Sequence, residues 1–249
     1  MKFNELDTKM RVYETSHDYN VLPGMYMIAR LDGKGFTKLT KDKYTKPFDN
    51  VFSGYMKTTL KETMINHGFS FIYAYTQSDE ISLLFNLEEN TFNRKLRKLN
   101  STLAGIASAE FTFISGHKGS FDCRICQLPN IELVEDYFSW RQEDAYRNCL
   151  NAYCYWTLRH NGFSTGKATS LMNGLHNDKK LELLFSYGIN FKQVNDWHKR
   201  GTEFYYKTIV KEGWNPLLQE STMVLRKQLV EAAVSCSGDK QRLKLRQLL

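Results

Sequence analysis

Two short acidic stretches carry the residue types that phosphate chemistry needs. "MIARLDGKGFTKL", Met27 to Leu39, runs an apolar stretch into Asp32, which glycines follow; "YAYTQSDEISLLF", Tyr73 to Phe85, places Ser78, Asp79 and Glu80 between two β-rich runs. Two carboxylates brought together repel, and a hard divalent cation with oxygen ligands relieves the repulsion, which makes magnesium the natural candidate. Gly33 and Gly35 let backbone approach a ligand closely and turn N–H groups toward phosphate oxygens, while Lys34, Lys38 and Lys46 offset the charge. If the two stretches meet, the chemistry they support is two-metal phosphoryl or nucleotidyl transfer.

The elements that must bring them together follow from periodicity. Met25 to Leu31 reads as a strand. In "DNVFSGYMKTTLKETMINHG", Asp49 serves as N-cap, apolar residues recur at helical spacing from Val51 to Met64, and Gly68 closes the end. Phe71 to Tyr75 and Ile81 to Phe85 read as a hairpin, "TFNRKLRKLNSTLAGIASAEFTFI" as a second helix, and Phe121 to Leu128 as a further strand. The order β-α-β-β-α-β is that of a ferredoxin-like split βαβ unit, an α/β (α+β) fold in which strand three lies between strands one and two, antiparallel to both. The end of the first strand, with Asp32, then lies beside the hairpin turn that carries Asp79 and Glu80. Strand alternation points Glu80 to the opposite face from Asp79, toward a structural role in the sheet or an interface. The predicted organisation is a catalytic unit over 1–135 and a helical C-terminal extension over 136–249.

Composition narrows the class. With 249 residues and 42% hydrophobic content the chain can bury a sizeable core, and 34 Lys and Arg against 27 Asp and Glu give a net charge of +7 that suits a polyanionic partner. No apolar run approaches the ~20 residues that span a bilayer, and five cysteines without a secretory signal fit a reducing cytoplasm. Cys123 and Cys126 form a CxxC, but no second pair completes a zinc site, and "SFDCRICQL" alternates as a strand does. Arg94, Lys95, Arg97 and Lys98 read either as a phosphate-contacting cluster or as a solvated helix face. Trp140 and Trp156 read as core. His160, His176 and His198 lack ligand spacing and receive no catalytic role. The basic amphipathic tail "CSGDKQRLKLRQLL" is left open between subunit packing and RNA contact.

"RLDGKGF", "KPFD" at Lys46 to Asp49, "AYTQSDE", "DYFSWRQED" at Asp136 to Asp144, "LELLF" at Leu181 to Phe185 and "KRGT" at Lys199 to Thr202 together resemble, in order, the motifs of the histidine-tRNA guanylyltransferase family. The resemblance implies a palm similar to that of ordinary polymerases and a reverse, 3′-to-5′ nucleotide addition to the 5′ end of tRNA. It implies a catalytic set of Asp32, Asp79 and Glu80, with two magnesium ions held by Asp32, the Gly33 carbonyl and Asp79. A nucleotide site is implied at Asp32, Gly33, Lys34, Gly35, Phe36, Thr37, Lys46, Ser78 and Asp79, taking GTP and ATP as substrates. Arg141 and Gln142 keep the family pattern, which implies a contact to RNA or nucleotide. A homotetramer, in the cytoplasm, is implied as well. After SWRQ the eukaryotic members carry His-Ile-Asn-Asn, whereas Tyr146, Arg147, Asn148 and Cys149 stand here, retaining only Asn148. That departure favours the templated 5′-end repair branch over addition of one extra guanosine to histidine tRNA. Two other readings are a nucleotide cyclase or dinucleotide synthase on the same palm, and a non-catalytic RNA-binding module.

Overall fold

The computed structural model describes residues 2–41, 43–215, 219–235 and 238–248. Strands β1 (Tyr26–Gly33), β2 (Phe71–Gln77), β3 (Glu80–Phe85), β4 (Phe121–Leu128), β5 (Thr202–Asn215) and β6 (Glu220–Ala233) form one sheet in the order β4-β1-β3-β2-β5-β6, every neighbour antiparallel. The first four reproduce the predicted topology, with β3 between β1 and β2. Side chains alternate across it: Met27, Ala29, Leu31 and Leu83 enter one core, Ile28, Tyr73, Tyr75 and Leu84 another on the opposite face.

The first core is closed by α3 (Asn50–Ile65) and α4 (Leu96–Ser115). Asp49 caps α3 by accepting the N–H groups of Val51 and Phe52 at 2.8 and 2.9 Å, and Met56, Leu60 and Met64 face the sheet. The second helix starts later than its periodicity predicts, because Phe92, Asn93 and Arg94 take positive φ of 58°, 52° and 58°. That turn buries Arg94, whose guanidinium donates to the carbonyls of Met25 and Leu87. Lys95 and Arg97 reach Asp18 at 2.8 and 2.9 Å. The four-residue basic cluster is thus mainly spent within the chain.

The opposite face is covered by the first half of α5 (Ile131–His160) through Val134, Tyr137 and Phe138, and by α9 (Asp239–Leu248) through Leu245. Beyond them α5 packs Cys149, Leu150 and Cys154 against Leu184 of α7 (Asn177–Ser186), with α6 (Thr165–Met172) and α8 (Asp196–Arg200) completing the helical lobe. The expected boundary at 135/136 falls inside α5, whose Asn130 cap accepts the Leu133 N–H at 3.0 Å. Nor is the C-terminal half only helical: β5 joins β2 over Thr202–Tyr205 and then continues with β6 as a two-stranded ribbon. The basic tail docks on its own chain, where Arg242 pairs with Asp136, Arg246 with Glu135 and Lys244 with the buried Glu203. Cys123 and Cys126 pack into opposite cores, so they cannot share a metal.

Candidate active site

Asp32 is the penultimate residue of β1 and stands opposite Glu80 of β3 and Asp122 of β4. Its neighbour Leu31 is fully buried, and alternation leaves Asp32 exposed on the other face. The hairpin turn is only Ser78 and Asp79, between the paired Gln77 and Glu80, with Ser78 at φ 55°. Ser78 Oγ donates to Asp79 Oδ1 at 3.0 Å, and the Gly33 N–H donates to the Asp79 carbonyl at 3.0 Å. The two acidic stretches therefore meet through a backbone hydrogen bond at the edge of the sheet. Gly33 is required there: a Cβ would lie 2.6 Å from the Phe36 ring and 2.9 Å from Asp79 Cβ.

Gly35, at φ 76°, turns the chain into α2 (Phe36–Thr40), and the Phe36 ring is buried beside Phe111 and Phe121. The Lys34 N–H is committed to the Ser120 carbonyl at 2.8 Å. Among the described residues, the amides of Gly35, Phe36 and Thr37 are the loop's uncommitted donors, at the start of α2 where no intrahelical acceptor exists. Half-buried Lys46 donates to Thr40 Oγ1 at 2.8 Å; burial lowers its pKa, and the charges of Asp49 and Asp79 oppose that shift.

Two cavities share the Asp79 edge. The larger, about 580 Å³, is lined by Thr37, Lys46 and Asp79 and by the rings of Tyr44, Phe48, Trp156 and Trp197. The smaller, about 380 Å³, is polar, with Asp32, Asp79, Glu80, Asp144 and Asn148. Phe48 belongs to both walls; its ring stacks on His198 at 4.7 Å and on Tyr153 at 6.0 Å, and the Tyr153 hydroxyl and His198 Nδ1 are 2.6 Å apart. Burial lowers the His198 pKa to about 4, so the ring is neutral at physiological pH. No sequence signal marked this trio.

Burial raises the Asp79 pKa, and the negative charge of Asp32 adds to the rise. Among the described residues, neither carboxylate forms an ion pair with a cationic side chain, and no group of three metal-binding side chains is present. Two carboxylates without a cation, beside backbone donors placed for phosphate, fit magnesium, which takes one or two carboxylates and fills its remaining positions with water and substrate phosphates. Glu80 is different. Its carboxylate sits in a fork with Arg141, at 2.7 and 2.6 Å, although burial raises its pKa. Arg141 also reaches Asp144 at 3.3 Å and lies over the Trp140 ring at 4.6 Å, so its donors are engaged by acidic side chains at the wall of the smaller cavity; Gln142 is buried. In the divergent stretch, Cys149 is buried, Tyr146 lies under Arg200 at 4.8 Å, and Asn148 donates to Asp144 at 3.2 Å. Trp140, read as core, is 54% exposed, and Trp156 faces the larger cavity.

Two family models match successive parts of the chain. A family model described as tRNAHis guanylyltransferase matches residues 7–129, and one described as the Thg1 C terminal domain matches residues 132–244. A tRNA(His) guanylyltransferase of Debaryomyces hansenii is 34% identical over 196 residues, 73% of this chain and 74% of that protein. That of Schizosaccharomyces pombe is 29% identical over 221 residues, 84% of each. The crystal structure of the Saccharomyces cerevisiae enzyme superposes with a TM-score of 0.71 at 26% identity, covering 77% of this chain and 90% of that one. A bacterial Thg1-like protein in complex with ATP gives 0.78 at 24% identity over 98% of both chains, a likeness of fold.

Proposed function

Because the chain belongs to the tRNAHis guanylyltransferase family, we propose that it is a nucleotidyltransferase acting on tRNA that adds nucleotides to the 5′ end in the 3′-to-5′ direction, as template-dependent repair. The observation that carries this reading is the hydrogen bond between Gly33 and Asp79, which holds the two carboxylates at one edge between an aromatic cavity and a polar one. Asp32, Asp79 and the Gly33 carbonyl would hold two magnesium ions, which when bound lower the pKa of an attacking hydroxyl and neutralise the triphosphate. The amides from Gly35 to Thr37 and the Lys46 ammonium bind triphosphate oxygens, and the rings of the larger cavity wall a nucleobase. GTP and ATP are the proposed substrates, in keeping with the bacterial relatives described in complex with each. Where the tRNA ends in a 5′-monophosphate, that phosphate attacks the α-phosphorus of ATP and releases pyrophosphate, and the 3′-hydroxyl of the incoming nucleotide then attacks the tRNA 5′ phosphorus and releases AMP; where the end is already a 5′-triphosphate, the same attack releases pyrophosphate. The protein works as a homotetramer in the cytoplasm.

Labelled triphosphate incubated with and without tRNA tests the reaction class, since a cyclase makes product without RNA and a binding module makes none. Specificity is tested by kcat/KM for a tRNA lacking its first 5′ nucleotide against full-length histidine tRNA, with each of the four triphosphates. The expected result is extension by whichever nucleotide complements the 3′ strand, because the divergent stretch has Cys149 buried and Tyr146 engaged in packing. A preference for untemplated guanosine on the full-length tRNA returns the protein to histidine-tRNA maturation.

A further inference from the structure

The wall of the smaller cavity is built by β1, the β2–β3 hairpin, α5 and the loop at Phe48, with no contribution from α1 (Phe3–Glu14) or the ribbon of β5 and β6. Tyr75 of β2 belongs to that wall at only 1% exposure, and among the described residues its hydroxyl has no hydrogen-bond partner. An unmade bond at a buried hydroxyl is costly, and a ligand atom that meets it recovers the cost. The hydroxyl-bearing end of the ring packs against Gly201, where a Cβ would lie 2.7 and 2.8 Å from two of its carbons, so the phenol is held in place. Burial raises its pKa well above the ordinary value, which keeps it a proton donor. The charges acting on it are those of Glu80, Arg141, Arg200 and Asp144, and all but Arg200 line the same cavity. Around this donor the wall carries Asp32, Asp79, Glu80 and Asp144 against Arg141 as its cation among the described residues. Such a wall disfavours phosphate away from the metals. A ligand group that meets both the Tyr75 donor and the acidic acceptors must itself accept and donate, as a sugar hydroxyl does and a phosphate oxygen does not.

We propose that the smaller cavity seats the ribose of the incoming nucleotide and that the Tyr75 hydroxyl donates to its 2′-oxygen, selecting ribonucleotides over 2′-deoxyribonucleotides. This assignment rests on the nucleotidyl transfer proposed above: the 3′-hydroxyl attacks beside Asp32 and Asp79, and the 2′-hydroxyl is its neighbour on the sugar, the one group that separates the two classes of nucleotide.

The test is kcat/KM for the complementary ribonucleoside triphosphate and for its 2′-deoxy form, in the wild type and in Tyr75→Phe. The tRNA lacks its first 5′ nucleotide and already carries a 5′-triphosphate, so no activating nucleotide enters. The wild type is expected to favour the ribonucleotide about 3–10-fold, and Tyr75→Phe to lose that preference through the ribonucleotide alone, with the deoxy form used as before. The melting temperature of Tyr75→Phe should equal or exceed that of the wild type, because the variant removes an unpartnered polar atom from the interior. Equal use of both nucleotides by the wild type, an equal loss on both in Tyr75→Phe, or a lower melting temperature would each overturn the proposal. So would a preference that Tyr75→Phe abolishes for a 2′-deoxy substitution in the 5′-terminal sugar of the tRNA and not in the triphosphate, which would give the contact to the tRNA. A wild type that extends the tRNA with neither nucleotide overturns the transfer reading itself, a result distinct from extension with both alike.

Discussion

Replacing Arg141 by alanine isolates the acid that the site does not offer to a metal. The fork it makes with Glu80 leaves only 12% of each side chain exposed, and Asp32 stands directly across the strand pair from Glu80. Removing one partner of such a pair strands the other carboxylate beside a like charge. The loss is expected to be about 3 kcal/mol, the lower end for a broken buried pair because each side chain keeps some contact with water. For a chain of this size that lowers Tm by about 6–12 °C. The pH dependence has a defined sign. Burial already raises the Glu80 pKa and Arg141 opposes the rise; without Arg141 it rises further. An acid whose folded pKa lies above its unfolded value costs stability at higher pH and recovers it as pH falls through the folded pKa. The deficit of Arg141→Ala should therefore be largest at neutral pH and shrink in mild acid, as urea unfolding of both proteins across that range would measure. Adding Glu80→Gln should return most of the lost stability. A loss below ~1 kcal/mol, or a double variant no more stable than the single, would refute the argument that the fork neutralises a buried charge.

Asp79→Asn should lower turnover by at least ~10³-fold while leaving the melting temperature unchanged or raised, since it removes a half-buried charge beside Asp32. With the Asp79 pKa raised, magnesium affinity in the parent protein should fall as pH drops, beginning above the ordinary carboxylate range, and calorimetric titration should show that slope reduced in Asp79→Asn. Gly33→Ala pushes a Cβ to within 2.6 Å of the Phe36 ring, so a loss of about 1–3 kcal/mol by denaturation and a larger proportional loss of turnover are expected. His198→Ala frees one face of Phe48 and should raise the nucleotide KM about 2–10-fold, whereas His198→Phe keeps the stack and the parent KM.

The convergence of Asp32 and Asp79 was legible because it follows from topology alone: strand alternation fixed three strands, and their order put one strand end beside one turn. The inward use of Arg94 was not, because three successive positive φ values break the helix where composition continues it. The ribbon of β5 and β6 escaped a periodicity reading since most of it covers no core, so "TEFYYKTIVKEGWN" has little apolar alternation to show. The wall made by Phe48, Tyr153 and His198 joins residues far apart in sequence by ring stacking, which leaves no local pattern. Reading His198 as polar and unplaced missed it for that reason.

The unbroken run of α5 has a mechanical consequence. At 30 residues and ~1.5 Å per residue it is a stiff rod about 45 Å long, anchored at one end by the sheet and at the other by the helical lobe. A rod continuous through the join transmits torque and has no hinge there. The short pieces that touch the rod from outside, the Lys43–Asp49 loop and α8, meet at Phe48 and His198 and are not part of that rod. Chimaeras with related enzymes should accordingly be spliced ahead of Asn130, where the rod begins, since a junction at 135/136 would place a foreign side-chain pattern in the middle of a load-carrying helix.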